Sequence, residues 1–142
     1  MSDPINFFCE DVEYKVKCKE VKRRWIKETI RNEKLSLGSL NVIFCNDKYL
    51  QTLNGKYLKR WSFTDTITFQ YDGRKNEIIG DIFISIERVS ENALKFNKEL
   101  ENELCRVLIH GVLHLIGFKD STLEGKKIMR EKEDFYLSKS IS

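Results

Sequence analysis

HGVLHLIGFKD, residues 110–120, holds both histidines of this 142-residue chain, four positions apart. On an α-helix that spacing sets them about 40° apart around the axis and one turn apart along it, so both imidazoles leave one face. The residues around them, Leu104, Val107, Leu108, Val112, Leu113, Leu115 and Ile116, make the helix strongly apolar. Such a wall dries the site and strengthens the electrostatics within it. Gly117 stops the helix at its C-terminal end, which lets the chain turn and bring Asp120 back toward the histidines. Two imidazoles and one carboxylate with an open fourth position have the composition of a catalytic zinc site. A single histidine on an apolar face is more often a hydrogen-bonded core residue than a ligand. Two at this spacing, followed by a glycine and an acid, favour His110, His114 and Asp120 as metal ligands.

The spacing H-x-x-x-H-x-x-G-x-x-D matches the metzincin frame H-E-x-x-H-x-x-G-x-x-H with two changes. Asp120 stands where the third histidine is usual, which zinc tolerates. Gly111 stands where a zinc protease carries its general base, and glycine can neither take nor give a proton. A peptidase of that mechanism is therefore not expected. Zinc alone lowers the pKa of a water to about 7, so hydrolytic chemistry needs no neighbouring base.

Working outward, residues 98–116 form the histidine helix and residues 87–96 a helix before it. The capping-box pattern Ser121-Thr122-Leu123-Glu124 starts a last helix to about Leu137, with Ile128, Phe135 and Tyr136 turned inward. Upstream, residues 65–71 (DTITFQY) and 78–86 (IIGDIFISI) read as paired strands around the Asp72-Gly73 turn. Residues 40–45 (LNVIFC) form a short buried strand. Asn46 or Asp47 caps a helix carrying Tyr49, Leu50, Leu53 and Tyr57. A first strand lies near residues 5–9. Between Lys15 and Lys34, nine basic residues alternate with Val16, Val21, Trp25, Ile26 and Ile30 at roughly helical spacing. That segment is an amphipathic helix with a basic outer face. A solvated face is the first reading of a charge run, and a phosphate-rich partner the second. The mixed order predicts an α+β single domain over residues 1–142, a small mixed β-sheet packed with helices, including a metzincin-like histidine helix.

Composition agrees with a globular protein: 41% hydrophobic and 33% charged residues, with a net charge of +3. No apolar run is long enough for a membrane span. Residues 1–17 show no basic start followed by an apolar run, so a cytoplasmic location is expected. Cys9, Cys18, Cys45 and Cys105 include no C-x-x-C pair and read as buried, reduced thiols.

HGVLHLIGFKD resembles the H-G-x-L-H-L-x-G-Y-D-H signature of the YbeY family of single-strand endoribonucleases. The similarity extends upstream. Leu53-Asn54 with Tyr57, followed by Thr64-Asp65-Thr66-Ile67-Thr68-Phe69, is similar to the family's L-N-x-x-Y-R segment and T-D-V-L-S-F. Ile79-Gly80-Asp81-Ile82 is similar to its G-D-I segment. The resemblance implies one Zn2+ ion per chain, held by His110, His114 and Asp120. It also implies endonucleolytic cleavage of single-stranded or ribosomal RNA, with a part in 16S rRNA 3′ end processing and ribosome quality control. The ribosome or its proteins are then expected partners, DNA and membranes are not. The family arginine thought to serve RNA cleavage falls on Leu58, so Lys59 and Arg60 are the expected charge stabilisers. The sequence does not show which group moves the proton; Asp81 and Glu103 are candidates, with a supporting or structural role equally open to each, and Trp61 and Phe63 are read first as core or wall packing and second as platforms for unpaired bases. The lost arginine also admits a second expectation, a ribosome-assembly factor with a mainly structural metal and little catalytic activity.

Overall fold

The computed structural model describes residues 3–58 and 64–140. Its elements run β1 (Ile5–Cys9), α1 (Lys19–Asn32), β2 (Ser36–Cys45), α2 (Asp47–Leu58), β3 (Thr66–Gln70), β4 (Glu77–Ser85), α3 (Ile86–Lys95), α4 (Leu100–Ile116) and α5 (Leu123–Leu137). The strands form one mixed sheet in the order β1-β2-β4-β3, as the α+β reading expects. β1, β2 and β4 run parallel, and β3 closes one edge antiparallel to β4.

Period-two alternation divides the sheet into two faces. Ile78, Ile82 and Ile84 of β4 are buried with Leu40, Val42 and Phe44 of β2 in the main core, which α1, α4 and α5 complete. Register pairs Thr66 with Ile84 and Thr68 with Ile82, so both threonines share that face at its β3 edge. The opposite face carries Phe83 and Ile67 against Leu50 and Tyr49 of α2. Asp81 also lies there, held by Asn41 Nδ2 at 3.0 Å and Tyr71 OH at 2.8 Å.

Most expected elements are found within a residue or two. β2 begins four residues before Leu40, because the Ser36-Leu37-Gly38-Ser39 segment, loop-like in composition, joins the sheet through a register shift between Leu37 and Ser39. A Cβ at Gly38 would lie 2.8 Å from Ile79 Cγ1 and 2.9 Å from the Glu77 side chain, so a larger residue here would have to displace those side chains of β4. The start of α5 is also corrected by one residue. Thr122, not Ser121, caps it, accepting from Gly125 N at 2.9 Å. The inward face shifts with it. Ile128 and Phe135 are exposed, while Met129, Glu133 and Tyr136 are buried.

The basic helix is present as α1, but much of its charge is used within the fold. Lys22 is buried, with Nζ bonded to Lys17 O at 2.6 Å and paired with Glu101 at the start of α4. Arg23 donates to Ile5 O at 3.0 Å and pairs with Glu20, and Lys27 reaches Asp3 at 3.2 Å. α1 packs on β2 and α4, at the side of the sheet away from β3.

All four cysteines are free, but only Cys45 is buried and Cys105 half-buried; Cys9 and Cys18 are exposed, which corrects the expectation of buried thiols. Burial pushes the Cys45 thiol up to about 12 and the Cys105 thiol up to about 11. The thiolate is the attacking form. At pH 8 a thiol reagent is therefore expected to modify Cys9 and Cys18 rapidly and the other two only after unfolding. Four equally fast thiols by mass spectrometry would contradict this packing.

Candidate metal centre

α4 lies across β3 and β4 on the main-core face. Gly111 is one point of close approach, since a Cβ there would lie 2.9 Å from Ile82 Cγ2. A side chain at position 111 would press on Ile82, so packing favours glycine there. Gly111→Ala overpacks a well-filled core, an effect costing about 1–3 kcal/mol. The melting temperature should then fall while zinc content is retained. An unchanged melting temperature would show that Ile82 yields at no cost.

The turn after α4 depends on Gly117, whose φ of 126° lies in the region that favours glycine. Gly117 N–H is shared between Leu113 O and His114 O, both at 3.1 Å, and Phe118 N–H returns to Leu113 O at 3.0 Å. This tight closure reverses the chain and lays Asp120 against the histidine face. His110 Nε2 is 3.4 Å from Asp120 Oδ2, and His114 Nε2 is 3.6 Å from Asp120 Oδ1. The two Nε2 atoms are 2.9 Å apart, and one ligand atom from each residue falls within a 4.8 Å group. Donors about 2.0–2.1 Å from a tetrahedral zinc stand about 3.3 Å from one another. The three side chains thus fit a shared divalent ion with little movement, and no other such group occurs among the described residues.

Each imidazole is also bound on its far side. His114 Nδ1 lies 3.1 Å from Phe118 O, and a carbonyl oxygen only accepts, so Nδ1 carries the proton and Nε2 is left as the donor atom. His110 Nδ1 lies 2.6 Å from Glu133 Oε2 on α5. Burial opposes charge on His110, but the hydrogen bond and charge of Glu133, with Asp120 and Asp65, outweigh it and hold its pKa above the usual value. Burial, joined by the charge on His110, holds that of His114 below it. The opposite directions follow from the proximity of the rings, since a proton on one disfavours a proton on the other.

These three side chains open into a cleft of about 450 Å³, lined also by Asn54, Leu58 and residues 64–68. Asp65 is its further acid. Burial holds its carboxyl above the ordinary carboxylate range, against the pull of His110 and the bonds from its own and Thr66's backbone. Neither expected supporting acid lines this cleft. Asp81 is on the other face of the sheet, and Glu103 lies two turns earlier on α4, lining a separate depression with Lys98, Arg106 and Arg130. Alternation along β4 predicts the first displacement, because Asp81 sits between two inward residues, Gly80 and Ile82. Leu58 reaches the cleft rim, 45% exposed, where the YbeY signature carries arginine. Lys59 and Arg60, with Trp61 and Phe63, lie outside the described residues. The basic face of α1 is not among the cleft walls. Sequence reasoning gave Asp65 and Glu133 no part in the site; the first was read as the opening of a strand and within the Thr64–Phe69 resemblance, and the second was not singled out.

The family model described as Endoribonuclease YbeY matches residues 5–140. A relative of that name from Cytophaga hutchinsonii is 45% identical over 136 residues, covering 96% of this chain and 95% of its own. Another from Karelsulcia muelleri is 50% identical over 114 residues, 80% of each chain. A solution structure of a Thermotoga maritima protein superposes with a TM-score of 0.67 at 27% identity, covering 96% of this chain and 88% of that one.

Proposed function

Because the chain belongs to the YbeY endoribonuclease family, we propose that it hydrolyses RNA phosphodiester bonds in the cleft between α4 and β3, with zinc held by His110, His114 and Asp120. The observation that carries this reading is the convergence of those three side chains in one open cleft. A divalent ion supplies Lewis acidity toward a phosphoryl oxygen and lowers the pKa of a water. The protein's own contribution is positional. Phe118 O holds the His114 ring, and the Gly117 turn presents the Asp120 carboxylate. Thr68, on the edge strand, sets a hydroxyl group along the opposite wall, where it can bond phosphate or ribose oxygens, while the Thr66 hydroxyl donates to Phe83 O at 2.9 Å and is left to accept only. Asp65, partly withdrawn from water beside His110, is the acid placed to hold or move a proton. Lys59 and Arg60, directly after Leu58, remain the proposed cationic stabilisers of added negative charge.

The cleft is an open groove, which suits an unpaired strand better than a duplex. Single-stranded RNA is the proposed substrate, 16S rRNA 3′ ends in ribosome maturation and quality control the proposed setting, and the ribosome or its proteins the proposed partners. No described helix is long and apolar enough to cross a membrane; a cytoplasmic location is part of the proposal. The test is a substrate panel of single-stranded RNA, duplex RNA and single-stranded DNA, with zinc-loaded and chelated protein. Cleavage confined to single-stranded RNA and removed by chelation is expected. Cleavage that persists after complete zinc removal would overturn the reading.

One observation favours a second reading. Leu58 at the rim replaces a charged group with an apolar one, as a ribosome-assembly factor with a mainly structural metal would permit. Under it, His114→Ala lowers thermal stability and ribosome association together, with no separate nuclease defect.

A further inference from the structure

Glu133 is buried on α5, only 6% exposed, and it is not one of the three ligands. A buried carboxylate is unfavourable unless its oxygens are engaged, and here both are. Oε1 accepts from Arg106 Nη1 at 2.8 Å, and Oε2 stands 2.6 Å from His110 Nδ1. Arg106 is itself held from a second direction, its Nη2 donating to Asp134 Oδ1 at 2.8 Å. Arg106 and His110 are four residues apart on α4, so they share a helix face and grip opposite oxygens of one carboxylate.

The arrangement has a chemical consequence for His110. An ionised carboxylate only accepts hydrogen bonds, so the proton between the two groups belongs to Nδ1. Nε2 is then left with its lone pair, and it faces His114 Nε2 at 2.9 Å and Asp120 Oδ2 at 3.4 Å. The guanidinium fixes the plane of the carboxylate, and the carboxylate fixes the plane of the ring. His114 is held by a backbone carbonyl instead, so the two rings are oriented by groups of different strength.

We infer that Glu133 is a positioning residue for the metal centre, locking His110 in the Nδ1-protonated tautomer with Nε2 presented to the ion, and that Arg106 fixes the Glu133 carboxylate for this purpose. This rests on the reading of His110 as a ligand. A merely structural role, an ion pair joining α4 to α5, would make the same contribution to folding but place no constraint on the His110 tautomer.

Two measurements separate these roles. Ring-nitrogen NMR of zinc-free wild-type protein, at a pH where the ring is neutral, should show His110 protonated at Nδ1, with the Nε2-protonated tautomer appearing in Glu133→Ala. Zinc competition against a chromophoric chelator should show affinity about 10- to 100-fold weaker in Glu133→Ala, the range for lost outer partners of a ligand. Glu133→Gln, which keeps the shape and an acceptor but loses the charge, should show a smaller loss, and so should Arg106→Met. A neutral His110 ring protonated at Nε2 in place of Nδ1 in the zinc-free wild type overturns the inference, even if Glu133→Ala does not fold. Normal wild-type zinc affinity with no change in folded Glu133→Ala or Glu133→Gln overturns it while leaving the functional reading intact. A wild-type protein without zinc affinity overturns both.

Discussion

His114→Ala is expected to lower zinc-dependent cleavage of single-stranded RNA by about 100-fold or more, beyond the 10- to 100-fold cost of losing an outer partner, because it removes one of the proposed ligands outright. The fold should survive. The His114 side chain is 27% exposed at the cleft, so truncation leaves no closed cavity. The lost bond to Phe118 O amounts to about 1 kcal/mol. What the variant forfeits is stabilisation by the ion. At zinc concentrations about 1,000 times the dissociation constant, binding adds about 4 kcal/mol to wild-type stability. Thermal melts with and without zinc should therefore differ for wild type and nearly coincide for the variant. Equal cleavage by both proteins would sink the assignment.

The second large effect lies in the sheet. Phe44 of β2 is fully buried, with its ring 5.0 Å from that of Tyr14 and 6.3 Å from that of Phe7. It pairs in register with Cys9 on one side and Ile84 on the other, at the centre of the core that supports α4. Phe44→Ala removes contacts on both sides of the strand and leaves a cavity, at a cost of about 3–5 kcal/mol. For a chain of this size that is a fall of roughly 6–20 °C in melting temperature. Zinc should still bind below the transition, since no ligand touches Phe44. A melting temperature unchanged within error would show the core packed otherwise than described.

The parts of the site legible in the sequence are those set by short-range geometry. His110 and His114 are one helical turn apart, and Gly117 announces the turn that returns Asp120, so all three could be read together. Glu133 could not, being 23 residues beyond His110 and joined to it only by the packing of α5 on α4. A signal for it existed: Met129, Glu133 and Tyr136 follow helical spacing and share the buried face. Ile128 and Phe135 suggested a face turned by one residue, which concealed it. The basic run of α1 shows the converse. Its charges were visible, but intramolecular partners such as Glu101 and Asp3 lie far from it in sequence. Gly111 falls between. Its lack of a proton-transfer group was read correctly, while its close approach to Ile82 required the fold.

Zinc content and affinity of the purified protein beside Asp120→Ala bear most directly on the metal centre. One zinc per wild-type chain, with much weaker binding and substoichiometric zinc in Asp120→Ala, is the expected result. Full occupancy with undiminished affinity in Asp120→Ala would contradict the proposed three-ligand site.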